Sequence, residues 1–371
     1  MAHRRFPWSA VVLALVCVGP VPASTTTPEI SVIGQPRALW TNDPADPDRR
    51  HLRLEAGETE FVCEARLNPD ARGCVIASLS EEGIELDEGF FAIFRGLPLD
   101  LGLKGGKYRV GFGRMNPAHA HTYPIAERFR ILDEYLPGED SFNEIGFSLS
   151  RRLAIGKRGY VELTADGLQG ESFRITRAST GDGHDPLEDG SGDGEELTRP
   201  AFNARLSLFE PLGERSGLEL GGSATHGTNN VAARARTTVL GLDARAKVWR
   251  SPRACLLLQG EMLVRLHDEA GWSRERGYTL TERSGAGFYL LADCAFGGRY
   301  NVGASCEDFQ SPVRGRPWNS ALGIHAGYAI IEESLVARAG WYRFIPERGD
   351  EADTITLWVV YAMGPHPAHQ L

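Results

Sequence analysis

The feature that most constrains the fold of this chain is a two-residue alternation of apolar and polar side chains that recurs along its length. In VLGLDARAKVW (239–249), leucine, alanine and valine hold the even positions, whereas Asp243, Arg245 and Lys247 hold odd ones. Successive side chains of a β-strand point to opposite faces, so this pattern indicates strands whose two faces meet different environments. It predicts about sixteen strands, at residues 29–40, 52–66, 72–81, 84–95, 101–114, 142–153, 159–175, 200–210, 216–226, 233–250, 253–267, 277–296, 299–310, 319–331, 334–345 and 353–364.

The connections between these segments alternate in length. Tight ones such as NPDA (68–71) and SPR (251–253) alternate with mostly longer ones such as 41–51, 115–141 and 176–199. An even number of antiparallel strands with short turns at one end and long loops at the other is typical of outer-membrane barrels. The sequence therefore predicts an all-β transmembrane outer-membrane β-barrel of about 16 antiparallel strands. Its apolar face would meet lipid, and its polar face would line an aqueous lumen.

A soluble, exported β-sandwich or jelly roll would also alternate with period two. Such a fold needs large hydrophobic residues on its inner faces, whereas many apolar faces here carry alanine, glycine and leucine. Greek-key connections also do not alternate strictly between short and long. Both points favour the barrel.

The first residues, MAHRRFPWSAVVLALVCVGPVPAS, combine two arginines, an apolar run and a small-residue cleavage site. They predict a secretory signal peptide over residues 1–23, with 24–371 as the exported barrel. The apolar run is shorter than the roughly 20 residues that a membrane-spanning helix needs. The alternating last segment precedes a terminal Leu371, an apolar end of the kind that the barrel-assembly machinery is expected to recognise.

The composition narrows the range of partners. The sequence has 40 basic and 49 acidic residues, a net charge of −9, and no basic block, so we expect no nucleic-acid partner. Export permits disulfides, and Cys63 and Cys74, which flank a tight turn, are the predicted pair. The cysteine spacings match no zinc knuckle or ribbon.

Four blocks resemble a bacterial family described as zinc-regulated outer-membrane proteins, some of which are labelled TonB-dependent outer-membrane receptors. They are PEISVIGQPRA (28–38), LPLDLGLKGGKYRVGFGRMNPAHAHTYP (97–124), GAGFYLLADCAFGGRYNVGA (285–304) and GPHPAHQL (364–371). The resemblance implies a porin-like outer-membrane barrel whose expression or cargo is tied to zinc. A chain of 371 residues is too short for a plug domain and the 22-stranded barrel of a TonB-dependent transporter. A porin-sized channel is the better interpretation.

The longest connection, 115–141, is predicted to fold into the lumen and narrow it. It contains His119 and His121 within NPAHAHTYP, and two imidazoles on one face of an extended stretch suit zinc, copper or nickel. Of these metals, zinc is the one cofactor that we expect, because the family resemblance also implies it. The alternative is that both histidines form hydrogen bonds to backbone groups and pin the loop to the barrel wall.

Two further segments carry metal-binding side chains. The acidic, glycine-rich loop over 176–199 includes His184 and Asp185, which would act as metal ligands or concentrate cations at the channel mouth. The alternative is a solvated surface loop. The second segment is the C-terminal HPAH, with His366 and His369.

The predicted lumen face carries charges of both signs, which set ion selectivity or simply solvate the wall. The predicted pore-lining residues are Lys107, Arg109, Glu144, Arg152, Arg205, Asp243, Arg245, Lys247, Glu261 and Arg265.

The leading hypothesis is a channel through which small solutes diffuse, with a link to zinc or other divalent metals. The sequence contains no nucleophile elbow, phosphate loop or H-E-x-x-H, so we expect no catalytic residues. The alternatives are a non-conducting structural or adhesive barrel and a barrel-borne hydrolase. The expected partners are outer-membrane lipid, the assembly machinery and small solutes or metal ions, and homo-oligomerisation stays open.

Overall fold

The computed structural model describes residues 27–81, 83–138, 141–174, 179–180, 199–273, 275–312, 317–332 and 334–364. The predicted signal peptide and the C-terminal HPAH lie outside these residues, as does most of the acidic loop. Within the described part of the chain, no helix is long and apolar enough to cross a membrane.

The described residues contain nineteen strands in one sheet and one short α-helix. The strands are β1 (Glu29–Gly34), β2 (Arg37–Thr41), β3 (Leu52–Glu55), β4 (Thr59–Asn68), β5 (Ala71–Ser80), β6 (Gly83–Ile93), β7 (Leu101–Arg109), β8 (Asn143–Ile155), β9 (Gly159–Leu168), β10 (Ser179–Thr180), β11 (Ala201–Pro211), β12 (Gly217–Asn230), β13 (Ala235–Ser251), β14 (Ala254–Ser273), β15 (Gly277–Phe296), β16 (Tyr300–Gln310), β17 (Trp318–Ile331), β18 (Leu335–Pro346) and β19 (Ala352–Met363). The helix is α1 (Arg130–Tyr135).

These strands close into a 16-strand antiparallel barrel, as predicted. β1 and β2 form one interrupted barrel strand and β3 and β4 another, while the two-residue β10 lies beside β14. The first barrel strand closes on the last, with Val32 opposite Met363 and Arg37 opposite Trp358. At the interruption Gln35 N donates to Glu58 O at 3.2 Å, and Gly57 adopts a φ of 65°, so backbone hydrogen bonding continues across the irregularity.

The connections alternate in length as expected. The end of the barrel that carries the short ones, such as 156–158 and 252–253, is called the tight-turn end below. One predicted long connection is shorter than expected. β14 and β15 each have 20 residues, so the connection predicted over 268–276 shrinks to 274–276.

The two faces of the wall differ as the alternation predicts. Directly paired residues share a face, and Ile145, Phe147 and Leu242 on the outer face are 50%, 62% and 61% exposed. Asp166 and Asp243 on the inner face are buried. The outer face is therefore an apolar band, and the polar side chains lie inside the barrel.

The interior contains a packed core rather than an empty lumen. The described residues of 110–142, called the lumen loop below, lie inside the barrel and contribute Phe112, Ile131, Leu132 and Tyr135 to this core. Phe129 stacks on the wall residue Tyr289 with ring centroids 4.0 Å apart. The long connection that was predicted to fold into the lumen does so.

The predicted Cys63–Cys74 disulfide is wrong. Cys63 pairs with Val75 in the register and faces outward, whereas Cys74 pairs with Glu64 and is buried on the inner face. Both are free cysteines. A tight turn between two cysteines is not sufficient for a disulfide, because a one-residue offset places them on opposite faces of the sheet.

Candidate functional site

The lumen loop begins directly after β7 and returns directly into β8. At its neck Val110 N donates to Phe142 O at 2.9 Å. The buried Asn116 closes the same neck, since its amide donates to Val110 O at 2.8 Å and to Phe142 O at 3.0 Å. The loop is thus a compact unit with a closed base rather than an open strand connection.

A wall carboxylate holds the first part of the loop. Glu261 on β14 accepts hydrogen bonds from Arg114 N at 2.8 Å and Met115 N at 2.7 Å. Tyr289 on β15 donates its hydroxyl to the same oxygen at 2.7 Å. Gly113 has a φ of 60°, and a Cβ there would lie 2.0 Å from Glu261 Oε2, so only glycine permits this approach.

A second wall carboxylate holds the middle of the loop in the same way. Glu307 on β16 accepts Ile131 N at 3.0 Å, at the N-terminus of α1. The hydroxyl of Tyr342 on β18 donates to Glu307 at 2.5 Å. The carboxylate satisfies a backbone N–H that α1 leaves without an intrahelical acceptor. Each clasp therefore combines a wall glutamate, a wall tyrosine and loop amides.

Wall arginines hold loop carbonyls. Arg338 on β18 donates to His121 O at 3.1 Å and to Tyr123 O at 2.6 Å. Arg265 on β14 donates to Glu134 O. The wall therefore holds both kinds of backbone group in the loop. Its carboxylates accept hydrogen bonds from loop N–H groups, and its arginines donate hydrogen bonds to loop carbonyls.

The two histidines contact wall carboxylates. His119 Nε2 lies 2.9 Å from Glu88 Oε1, and its Nδ1 lies 3.2 Å from Glu60 Oε2. His121 Nδ1 lies 3.0 Å from Glu60 Oε1. Burial alone would lower the pKa of His119, but its hydrogen bonds to Glu60 and Glu88 outweigh burial and raise the pKa to about 9. At neutral pH His119 is therefore an imidazolium between two carboxylates.

His119 and His121 do not form a metal site with the described residues around them. Among the described residues, no group of three or more histidine, cysteine, aspartate or glutamate side chains is arranged to hold a metal ion. His184 and Asp185 lie outside the described residues, as do His366 and His369. The contacts of His119 and His121 match the alternative that the sequence left open, in which the pair pins the loop to the wall, although through carboxylates.

Most of the predicted pore-lining residues occupy the inner face. The register places there Glu144, Arg152, Arg205, Asp243, Arg245, Lys247, Glu261 and Arg265. Several of them engage other groups: Glu144 accepts Gly170 N, and Arg205 donates to Asp243 at 2.6 Å. Arg109, at the end of β7, donates to Ala118 O of the lumen loop at 2.9 Å.

Lys107 differs from its predicted place. It pairs with Ile145, whose side chain is half exposed on the outer face, and its amine reaches Leu86 O. Tyr108 takes the inward position and donates to Asp166 at 3.0 Å. Because the two preceding residues are glycines, the alternation does not show which of Lys107 and Tyr108 faces the lumen. The sequence analysis assigned the lysine to the lumen, and this assignment was wrong.

The residues that sequence reasoning missed are three wall carboxylates and two wall tyrosines that contact the loop or its carboxylates: Glu60, Glu88, Glu307, Tyr289 and Tyr342. The alternation could have assigned these residues to the lumen face, because they lie at polar positions of predicted strands. Their contacts with the loop could not be predicted, because the loop partners are far away in the sequence.

Beside the lumen loop, a cavity of about 520 Å³ remains. It opens between the loop and the wall formed by β2 and β3. Its charged lining residues are Arg37, Asp43, Asp46, Arg53, Glu127, Arg128, Arg130 and Asp133. Arg37 Nε lies 2.5 Å from Glu55, and Arg53 lies 2.9 Å from Asp46. Both signs of charge are therefore present around the space.

Comparison with known proteins places the fold in one class, that of bacterial outer-membrane porins. An anion-selective porin from Comamonas acidovorans superimposes with a TM-score of 0.60 at 8% identity, covering 91% of this chain and 100% of that one. The outer-membrane channel DcaP of Acinetobacter baumannii gives a TM-score of 0.58 at 10% identity, with 91% and 97% covered. Salmonella typhi OmpF, in complex with daunomycin, gives 0.58 at 10% identity, with 91% and 98% covered.

Sequence comparison is less informative. No protein-family model matches the chain. An uncharacterized protein of Aquifex aeolicus (strain VF5) is 28% identical over 239 residues, which are 60% of this chain and 48% of that protein. The match thus spans about half the length of that relative. The porin-like part of the predicted resemblance is supported by the fold, whereas the zinc-regulated family is not confirmed.

Proposed function

We propose that the chain is a non-enzymatic channel of the bacterial outer membrane through which small solutes diffuse. The observation that carries this proposal is the charged cavity beside the lumen loop, within a closed barrel of porin fold. A polar space of this kind admits hydrated ions and small polar solutes, and nearby charges of both signs act on what passes.

The lumen loop would set the size limit of the channel. It is held at three regions by wall carboxylates and packs an apolar core against β14, β15 and β16. Passage would run next to β2 and β3, where the charged cavity lies between the loop and the wall. Permeation of small ions rather than large substrates follows from that geometry.

The test is single-channel recording in planar lipid bilayers with refolded full-length protein. The expected result is discrete conductance steps smaller than those of a barrel with an empty lumen. Absence of any conductance from protein that shows the heat-dependent gel mobility of a folded barrel would contradict the channel.

A non-conducting structural barrel is the second candidate. The packed core inside the lumen is the observation that favours it, because an apolar plug of this kind excludes water. The same recordings separate the two, since only the channel gives current steps.

Transport of zinc or other divalent metals stays a prediction that rests on the resemblance. Calorimetric titration of zinc into wild type and into His119→Ala/His121→Ala tests it, and equal binding by both would remove these histidines as ligands. Export by the N-terminal segment, insertion by the assembly machinery and homo-oligomerisation are also part of the proposal. Fractionation of cells and crosslinking of the inserted protein test them.

A further inference from the structure

A groove crosses the outer face of the barrel over β8, β9, β11, β12 and β13. Its cavity has a volume of about 840 Å³. The floor is a row of three alanines that pair across neighbouring strands, Ala165 with Ala204 and Ala204 with Ala224. Leucines such as Leu163 and Leu240, which are 47% and 44% exposed, stand beside this row. Because alanine side chains are shorter than leucine side chains, the alanine floor forms an apolar depression in the wall.

A cation lies at one end of this groove. Arg151 on β8 lines the groove and is exposed on the outer face, where it pairs with Leu101 on one side and Leu163 on the other. Within the part of the chain that the structure describes, its guanidinium makes no hydrogen bond and no ion pair. A lipid-facing arginine costs least close to the membrane interface, where a phosphate can accept two parallel hydrogen bonds from it. The guanidinium is therefore available to an anion at the entrance of an apolar groove.

The groove leads from the tight-turn end towards the middle of the apolar band. β8 ends at Ile155, four residues beyond Arg151, whereas β13 ends at Ser251, nine residues beyond Leu242. Leu242 belongs to the row of paired residues that starts at Arg151, so this row moves away from the turns as it crosses the wall. Neighbouring strands are about 4.8 Å apart, so the four steps from β8 to β13 measure roughly 19 Å. One leaflet is half of the roughly 30 Å hydrocarbon core, so an acyl chain that starts at Arg151 fits along the groove.

The charges at the Arg151 end favour an anionic headgroup. The short turns of outer-membrane barrels face the periplasm, so this end lies in the periplasmic leaflet. Glu162 does not oppose an anion there, because it faces the lumen and is bound by Arg152 at 2.8 Å. Cations outnumber carboxylates among the exposed charged residues around this end, which are Arg95, Asp100, Arg151, Lys157, Arg158 and Glu210.

We propose that the groove is a binding site for an anionic phospholipid of the periplasmic leaflet. The phosphate would accept hydrogen bonds from the Arg151 guanidinium, with Lys157 and Arg158 adding long-range attraction. One acyl chain would lie over the alanine floor, where it gains dispersion contacts with the flanking leucines. The inference goes beyond the channel, because the lipid contacts the outer wall and its binding does not require an open lumen.

The experiment is native mass spectrometry of the full-length folded barrel in detergent, titrated with dioleoyl phosphatidylglycerol. The comparison probes are dioleoylglycerol, which lacks the phosphate, and dioleoyl phosphatidylcholine, which carries no net charge. Wild type is expected to bind phosphatidylglycerol more tightly than either. Arg151→Gln is expected to weaken phosphatidylglycerol binding about tenfold, because it removes a bidentate charge-assisted contact. Ala204→Leu is expected to weaken it about fivefold, because the added side chain fills the groove and displaces chain contacts.

Arg250→Gln and Ala326→Leu are the matched controls. Arg250 is an exposed arginine at the tight-turn end of β13, and Ala326 is an outer-face alanine of β17. Neither residue lines the groove. Both variants are expected to bind phosphatidylglycerol as wild type does, and heat-dependent gel mobility shows that each variant is a folded barrel.

Equal phosphatidylglycerol binding by wild type and Arg151→Gln, or equal binding of phosphatidylglycerol and dioleoylglycerol by wild type, would overturn the site. Self-association of the barrel that Ala204→Leu abolishes, with phosphatidylglycerol binding unchanged, would assign the groove to a second copy of the chain and would also overturn it. The lipid measurement does not depend on conductance, so failure of the site and failure of the channel are distinguished.

Discussion

Replacing Glu261 with alanine tests whether the clasps hold the lumen loop in place. The substitution removes the acceptor of Arg114 N, Met115 N and the Tyr289 hydroxyl, all within 2.8 Å. Each lost hydrogen bond costs about 1 kcal/mol, and a donor left buried without an acceptor costs about 1–3 kcal/mol. Water entering from the lumen will satisfy part of this, so we expect docking to weaken by about 3 kcal/mol.

A loss of about 3 kcal/mol raises the ratio of undocked to docked loop by about a hundredfold, since each 1.4 kcal/mol changes an equilibrium constant about tenfold. The assay is the frequency of large-conductance openings in single-channel recordings. Glu162→Ala is the matched control, because Glu162 is also a lumen-wall carboxylate but is bound by Arg152 of the wall. An opening frequency for Glu261→Ala equal to that of Glu162→Ala would refute the reasoning that wall carboxylates fix the loop.

Three further predictions concern the loop and the wall. The pKa of His119 is raised to about 9, so its ion pairs with Glu60 and Glu88 are fully formed below the ordinary histidine pKa and are lost as the pH rises through 9. Large-conductance openings of wild type should therefore become more frequent between pH 8 and pH 10. His119→Gln should show no such rise. Arg338→Met removes the donor of two loop carbonyls and should destabilise docking by about 2 kcal/mol, seen as faster proteolysis of the loop, whereas Arg338→Lys should retain part of the protection. Gly57→Ala places a Cβ 2.0 Å from a backbone carbonyl oxygen at a φ of 65°, so it should lower the yield of refolded barrel on gels, and a wild-type yield would show that the interruption of the strand relaxes.

The architecture was predictable because lipid and water impose opposite requirements on alternate residues. All sixteen predicted segments correspond to barrel strands, including 29–40 and 52–66, each of which contains an interruption that the alternation does not reveal. The lumen face was predictable where charged residues alternate with leucine, as in β13. It was not predictable at Lys107, where two glycines precede the residue and either parity is compatible with the sequence.

The contacts of the lumen loop were beyond sequence reasoning. NPAHAHTYP contains two imidazoles at a spacing that also suits a metal, and nothing local distinguishes a ligand pair from a pair of ion-pair partners. Glu60 and Glu88 decide the matter, and they lie 61 and 31 residues away from the histidines that they bind through hydrogen bonds. The same holds for Met115 and Glu261, which are 146 residues apart.

The sequence by itself determined that this chain forms a closed barrel with an apolar exterior, because every strand must satisfy lipid on one face whatever its neighbours are. Only the tertiary structure decided what fills the lumen, since the position of the loop depends on which wall carboxylates, arginines and tyrosines the closed barrel brings to it. Those groups come from strands spread over the whole chain. Barrel closure, rather than any local pattern, brings them to face the same loop.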